Sequence, residues 1–386
     1  MSISRRDFVR ALGLSGVALH SSSKAGDSME LMNPRMSSSN QPFNRLYDAG
    51  FINLSSNTSP RGPSDAVLEV LRGRISPSLG RYPENTGLLV EAIAEKEKSH
   101  RDQVLLSTGS GEVLVGAVHA FVTATRPLVI GIPSYETPVA TAELLDLPVK
   151  SVPVDERLQL DLDAMAEAAV GAGLVYLCNP NNPTGVAHSA SSIKKFVEQV
   201  QNTSPETAIL IDEAYIEFAN DPTVSTALPL ALNSPNIMIT RTFSKIYAMA
   251  GLRIGYALGQ TETLERMKRT ARFGSVTVLS AAAGLAALQD SVRRSWEIEE
   301  NRKVREFTLN AFRQIGREVT NSQTNFVWAN VGQTSKSFRD ACFELDVLVG
   351  RDFRPIGNHY SRISLGTMDE MRQAVQVFET VLTENE

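Results

Sequence analysis

From residue 64 onward the chain alternates stretches of helical period with short, unbroken apolar runs. Apolar positions recur at helical spacing over 65–73 and 88–100, and the run at 103–107 follows as a short strand. Further runs at 127–132, 174–177, 208–211, 237–240 and 255–258 are short and mostly β-branched or aliphatic, the pattern of strands buried on both faces. Helix-length sequence or a turn separates each run from the next, which predicts an α/β architecture with a mostly parallel sheet covered by helices. Past residue 271 the pattern lengthens into helices over 279–288 and 292–314, strands at 326–329 and 362–365, and a closing helix over 368–382. A chain of 386 residues exceeds what one core comfortably fills. The expected division is a large domain over 61–270 and a smaller α+β domain over 271–386, with an arm over 29–60 ahead of them.

The first 28 residues follow a different rule. Ser4-Arg5-Arg6-Asp7-Phe8-Val9-Arg10 is a twin-arginine pattern, with a short apolar stretch over 11–19 and the small-residue triplet Ser23-Lys24-Ala25 behind it. That order is expected of a twin-arginine export signal and linker, and the apolar stretch falls well short of the roughly 20 residues that span a bilayer. A short amphipathic helix is the plainer alternative, and a start at Met29, Met32 or Met36 would give a cytoplasmic form.

Composition narrows the partners. Hydrophobic residues make up 42% and charged residues 21%, and the net charge of -5 is not gathered into blocks that would track nucleic acid or lipid. A small-molecule partner is expected, with no nucleic acid and no stable membrane anchor. Only Cys178 and Cys342 are present, which leads us to expect neither a disulfide nor a metal site.

Four motifs carry candidate chemistry, each at the end of a predicted strand. In Thr242-Phe243-Ser244-Lys245 a lysine follows two hydroxyls and precedes Arg253, an arrangement in which the amine forms an imine while its neighbours hold a phosphate. Asp212 and Tyr215 lie three residues apart and can reach one ligand, the carboxylate to keep a ring nitrogen protonated and the phenol to bond a ring hydroxyl. Asn179-Pro180-Asn181-Asn182-Pro183-Thr184-Gly185 is a constrained turn able to offer the Asn182 amide. Gly109-Ser110-Gly111 opens a helix whose first amides can cup a phosphate. Singly, each has a plainer reading: a surface lysine, a helix cap, a structural loop, a chain reversal.

Together these motifs, with Arg81-Tyr82-Pro83-Glu84 and Ala250-Gly251-Leu252-Arg253-Ile254-Gly255, resemble in order and spacing the fold-type I pyridoxal-phosphate aminotransferases, above all the histidinol-phosphate aminotransferase branch. The resemblance implies an aspartate aminotransferase-like large domain that binds pyridoxal 5'-phosphate as a Schiff base on Lys245. It implies that Arg253, Thr242, Ser244, Ser110 and Gly111 hold the cofactor phosphate, that Tyr135 stacks on the ring, and that Asn182, Asp212 and Tyr215 bond its edge. Tyr82 is implied to reach the phosphate of a neighbouring subunit in a homodimer. Arg362 is implied to grip the substrate α-carboxylate, with Asn57 and Asn325 nearby.

The activity implied is transamination between histidinol phosphate, or an aromatic or imidazole amino acid, and 2-oxoglutarate. A decarboxylase on the same scaffold, like threonine-phosphate decarboxylase, is the alternative. The chain departs from the family pattern at Gly350-Arg351-Asp352-Phe353-Arg354-Pro355, where a simpler Val-Arg-Pro or Leu-Arg-Asp is usual. Arg351 is expected to meet a substrate phosphate. The leader and the biosynthetic reading point to different compartments.

Overall fold

Burial without alternation is what makes the central strands. The computed structural model describes residues 50–78, 80, 82, 86–353 and 359–383, all within one compact unit, Leu46–Glu386. The expected leader and most of the expected arm lie outside the described residues. Eleven strands occur among them: β1 (Ile52–Leu54), β2 (Val104–Ser107), β3 (Leu128–Ile132), β4 (Val149–Pro153), β5 (Leu174–Cys178), β6 (Ala208–Asp212), β7 (Ile237–Thr242), β8 (Gly255–Gly259), β9 (Phe326–Asn330), β10 (Val347–Val349) and β11 (Tyr360–Ser364). Every residue of β5, β6, β7 and β8 is buried. The two-residue period then sorts them, so that Val175, Leu177, Ile209, Ile211, Ile237 and Ile239 pack into one hydrophobic layer. Leu174, Tyr176, Ala208, Leu210 and Met238 pack into the opposite one.

The large sheet runs in the order β2-β8-β7-β6-β5-β3-β4, and β8 alone runs opposite to the other six strands. Register then fixes the site. Cys178 pairs with Asp212 and Asp212 with Thr240, so β5, β6 and β7 end side by side. Reversed β8 begins where they end, with Gly255 opposite both Ser107 and Thr242. A ligand at the carboxyl end of such a sheet meets the loops after four strands at once.

A second core gathers around the antiparallel pair β9–β11 and the parallel pair β1–β10. Ile52 and Leu54 of β1 pack there beside Phe312, Phe338 and Phe378 of the helices Ser291–Gln314, Ser335–Glu344 and Met368–Thr383. The helix Val278–Gln289 instead contributes Ala281, Ala283 and Ala287 to the first core. Its small residues let it lie close against the helices Asp65–Ser78 and Thr86–Glu97. β1 and β10 are three residues long, too short to show a period, and edge strand β4 buries only Val152 fully and so leaves no apolar run to read. Both cysteines are free and buried.

Phe378 stands 5.7 Å from Phe312 and 5.6 Å from Phe338 between ring centroids, and is essentially inaccessible. Phe378→Ala opens a cavity in the second core. It should destabilise the fold by about 3–5 kcal/mol, read as a lower urea midpoint.

Candidate active site

Eighteen residues line a cavity of about 340 Å³ at the carboxyl ends of β5, β6 and β7. Thirteen of the fifteen residues expected from sequence are among them: Ser110, Gly111, Tyr135, Asn182, Asp212, Tyr215, Thr242, Ser244, Lys245, Arg253, Asn57, Arg351 and Arg362. Tyr82 and Asn325 are not. Tyr82 is 93% exposed, whereas Asn325 is buried and supports the wall by donating Nδ2–H to the Asn57 carbonyl at 3.0 Å.

One end of the cavity is built for an anion. The helix Ser110–Phe121 points its first turn inward, where backbone amides have no partner in the helix and the dipole is positive. Arg253, held in the left-handed region at φ 52°, lays its guanidinium against Gly109. A Cβ at Gly109 would stand 2.4 Å from Arg253 Nη2, and one at Gly255 would stand 2.3 Å from the Ser110 amide nitrogen, so both glycines permit the close approach. Glu112 turns away from this seat, its carboxylate accepting from the Thr108 amide at 2.6 Å.

Lys245 and Asp212 occupy the middle. The Lys245 Nζ donates to the carbonyls of Asn57 at 3.1 Å and Ser56 at 3.4 Å. Burial pushes this amine down to about 7, assisted by the cations Arg362 and Arg253 and opposed by Asp212. The Asp212 carboxyl is pushed up to about 6, first by burial, against the hydrogen bond from Tyr176. That bond runs from the Tyr176 hydroxyl to Oδ2 at 2.8 Å, and the Ala214 amide donates to Oδ1 at 3.1 Å, so the carboxylate is fixed on both oxygens. Adjacent Glu213 points to the other side of the strand, where it pairs with buried Arg241 at 2.9 Å. Alternation thus separates a structural acid from the one that faces the cavity.

A buried guanidinium faces the rest of the cavity. The Arg362 guanidinium donates to Asn182 Oδ1 at 2.9 Å and to the Ser55 carbonyl at 2.7 Å, while its buried Nε has no acceptor. Burial lowers Arg362 to about 10, so it stays cationic at neutral pH. Asn57, at φ 53°, donates Nδ2–H to the Tyr215 hydroxyl at 3.1 Å and is itself anchored by Ser364. Asn181 is tied into the loop wall by Ser134 and Pro133, and Asn179 by the His188 amide, which leaves Asn182 as this loop's asparagine at the cavity. Arg351 lines the rim, and both of its terminal nitrogens are held by Glu136.

These groups fit pyridoxal phosphate: an anion seat at Arg253, an amine with a depressed proton affinity, and a buried carboxyl and phenol on the facing strand. Sequence reasoning missed Tyr176, Glu136, Phe353 and the Ser55 and Ser56 carbonyls. Tyr176 had a signal, since it lies two residues before Cys178 on the same face of β5. The others act through partners remote in sequence.

With an amine near 7, the unprotonated fraction of Lys245 gains about tenfold per pH unit below that point and saturates above it. Uptake of pyridoxal phosphate by the apo-protein, followed by stopped-flow absorbance, should accelerate with pH to about 7 and then level off. An acceleration continuing beyond pH 9 would mean an ordinary lysine.

The chain matches the family model of class I and II aminotransferases over residues 49–378. It is 34% identical over 345 residues to the histidinol-phosphate aminotransferase of Symbiobacterium thermophilum, spanning 88% of this chain and 92% of that protein. It is 31% identical over 327 residues to an aromatic amino acid aminotransferase of Thermobifida fusca, spanning 84% and 88% respectively. Its fold superimposes with a TM-score of 0.82 on the crystal structure of the histidinol-phosphate aminotransferase from Sinorhizobium meliloti in complex with pyridoxal-5'-phosphate, at 24% identity and covering 93% of this chain and 99% of that one. The chain therefore belongs to the pyridoxal-phosphate-dependent class I and II aminotransferases, in their histidinol-phosphate aminotransferase branch.

Proposed function

We propose that this transaminase exchanges an amino group between a donor of the histidinol-phosphate, aromatic or imidazole type and 2-oxoglutarate. One observation carries the reading: Arg253 and Arg362, at opposite ends of one cavity, form no ion pair with any carboxylate among the described residues. Buried Arg362, with no acid beside it, calls for an anion on the substrate, and exposed Arg253, laid against Gly109 at the start of the Ser110 helix, offers a seat for the anion on the cofactor. Bound pyridoxal phosphate supplies the carbonyl that captures an amine and the ring that accepts the electron pair released from Cα.

The chain's own residues supply the rest. Arg362 and Asn182 orient the substrate anion, and Arg253 with the Ser110 and Gly111 amides anchors the phosphate. Asp212, fixed on both oxygens, holds a proton at the ring nitrogen. Tyr215, steadied by Asn57, and Asn182 address the ring hydroxyl, and Tyr135 covers the ring. The Lys245 amine, near 7, takes the proton from the substrate Cα and returns it at neutral pH without a large driving-force penalty.

We also propose a homodimer in which Tyr82 completes the phosphate seat of the neighbouring subunit. In support, its ring is almost fully exposed on the single chain. Export by the twin-arginine leader is proposed from its sequence alone.

A screen of histidinol phosphate, phenylalanine, tyrosine and histidine should yield pyridoxamine phosphate with at least one donor. Release of carbon dioxide without it would favour decarboxylation. Lys245→Ala should lower turnover by about a thousandfold or more while the protein stays folded. Arg362→Ala should reduce kcat/KM for α-carboxylate donors by about a hundredfold, and unchanged kinetics would remove its assigned role.

A further inference from the structure

Three guanidinium groups line the cavity, and only the third has an acid. Arg351 meets Glu136 through both prongs, Nη1 to Oε1 at 2.9 Å and Nη2 to Oε2 at 2.6 Å. Arg351 and Arg362 both lie over the ring of Phe353, 4.3 and 4.9 Å from its centroid. That buried ring spaces the two cations at the substrate end. Glu136 directly follows Tyr135 and stands at the N-cap of the helix Thr137–Leu144, yet its side chain makes no cap hydrogen bond. Its carboxylate is used on Arg351 instead, across 215 residues of sequence.

Fork-on-fork pairing fills the edge of the guanidinium that would otherwise take a carboxylate or phosphate. Both side chains are 49% exposed, so water competes with the pair and it exchanges readily. It is therefore a gate and not a lock. A substrate with one anionic group takes Arg362 and leaves the pair shut, whereas one with two must displace Glu136 from Arg351.

We propose that Glu136 is a specificity-determining residue, which favours substrates bearing a single anionic group and handicaps dicarboxylates, the dicarboxylic acceptor included. This rests on the reading of Arg362 as the seat of the first substrate anion.

The test uses the purified holoenzyme and two unreactive acids, glutarate with two carboxylates and 3-phenylpropanoate with one, their dissociation constants measured by calorimetry. Glu136→Gln should tighten glutarate by about fivefold and move 3-phenylpropanoate by less than about twofold. In an Arg351→Met background the same substitution should change neither. Half-reactions should show the same division, with a lower KM for glutamate and an unchanged one for phenylalanine.

Equal shifts for both acids, no shift for glutarate, or tightening that survives Arg351→Met would overturn the gate. If Glu136→Gln does not fold, Arg351→Met alone decides. It should weaken glutarate and spare 3-phenylpropanoate, and indifference of glutarate would overturn the proposal. Arg362→Ala separates the two readings. Weakening of both acids with no Glu136 effect would sink only the gate, while binding indifferent to Arg362 would sink the substrate seat itself.

Discussion

Uncompensated positive charge at the end of a buried sheet is the constraint on which the rest of the structure depends. A guanidinium taken out of water without an acid costs several kcal/mol, and this fold keeps one, Arg362, buried in the same cavity as the Lys245 amine and the exposed Arg253. Burial, assisted by the charge of Arg362 and Arg253, holds Lys245 near 7. The arrangement is tolerable in a protein whose ligands bring the missing anions. Elsewhere the chain follows the ordinary rule: buried Arg241 is met by Glu97 at 2.7 Å and Glu213 at 2.9 Å. The contrast between Arg241 and Arg362, buried alike but with no acid beside it, separates the site from the scaffold.

Topology converts that constraint into geometry. Because β5, β6 and β7 are parallel and in register, Cys178, Asp212 and Thr240 stand in one row, and the segments after them open on the same space. The single reversal at β8 brings Arg253 back to that row, beside the helix that begins at Ser110. The second core contributes from the opposite side: β11 carries Arg362, and Arg351 follows β10. The cavity thus lies between two hydrophobic cores. Its guanidinium groups Arg253 and Arg362 come one from each side.

Much of this was legible because function here is carried by strand ends. Fully buried strands leave uninterrupted apolar runs, and the motif after each run is where a parallel sheet presents its chemistry, so Lys245, Asp212, Asn182 and Ser110 stood out with their neighbours. What escaped was whatever depends on pairing across sequence. Glu136 looks like any acid ahead of a helix until Arg351 arrives from 215 residues away. Asn325 shares a motif with the site, yet its amide serves the Asn57 carbonyl behind the wall. Three-residue β1 and β10 have no period to detect, although β1 brings Ser55, Ser56 and Asn57 to the cavity.

The central claim is that one amine, on Lys245, holds the cofactor. Borohydride reduction of the loaded protein followed by peptide mapping tests it most directly. The account predicts a stable pyridoxyl label on Lys245 and on no other lysine. A label elsewhere in the chain, or none on a protein that binds the cofactor, would contradict it.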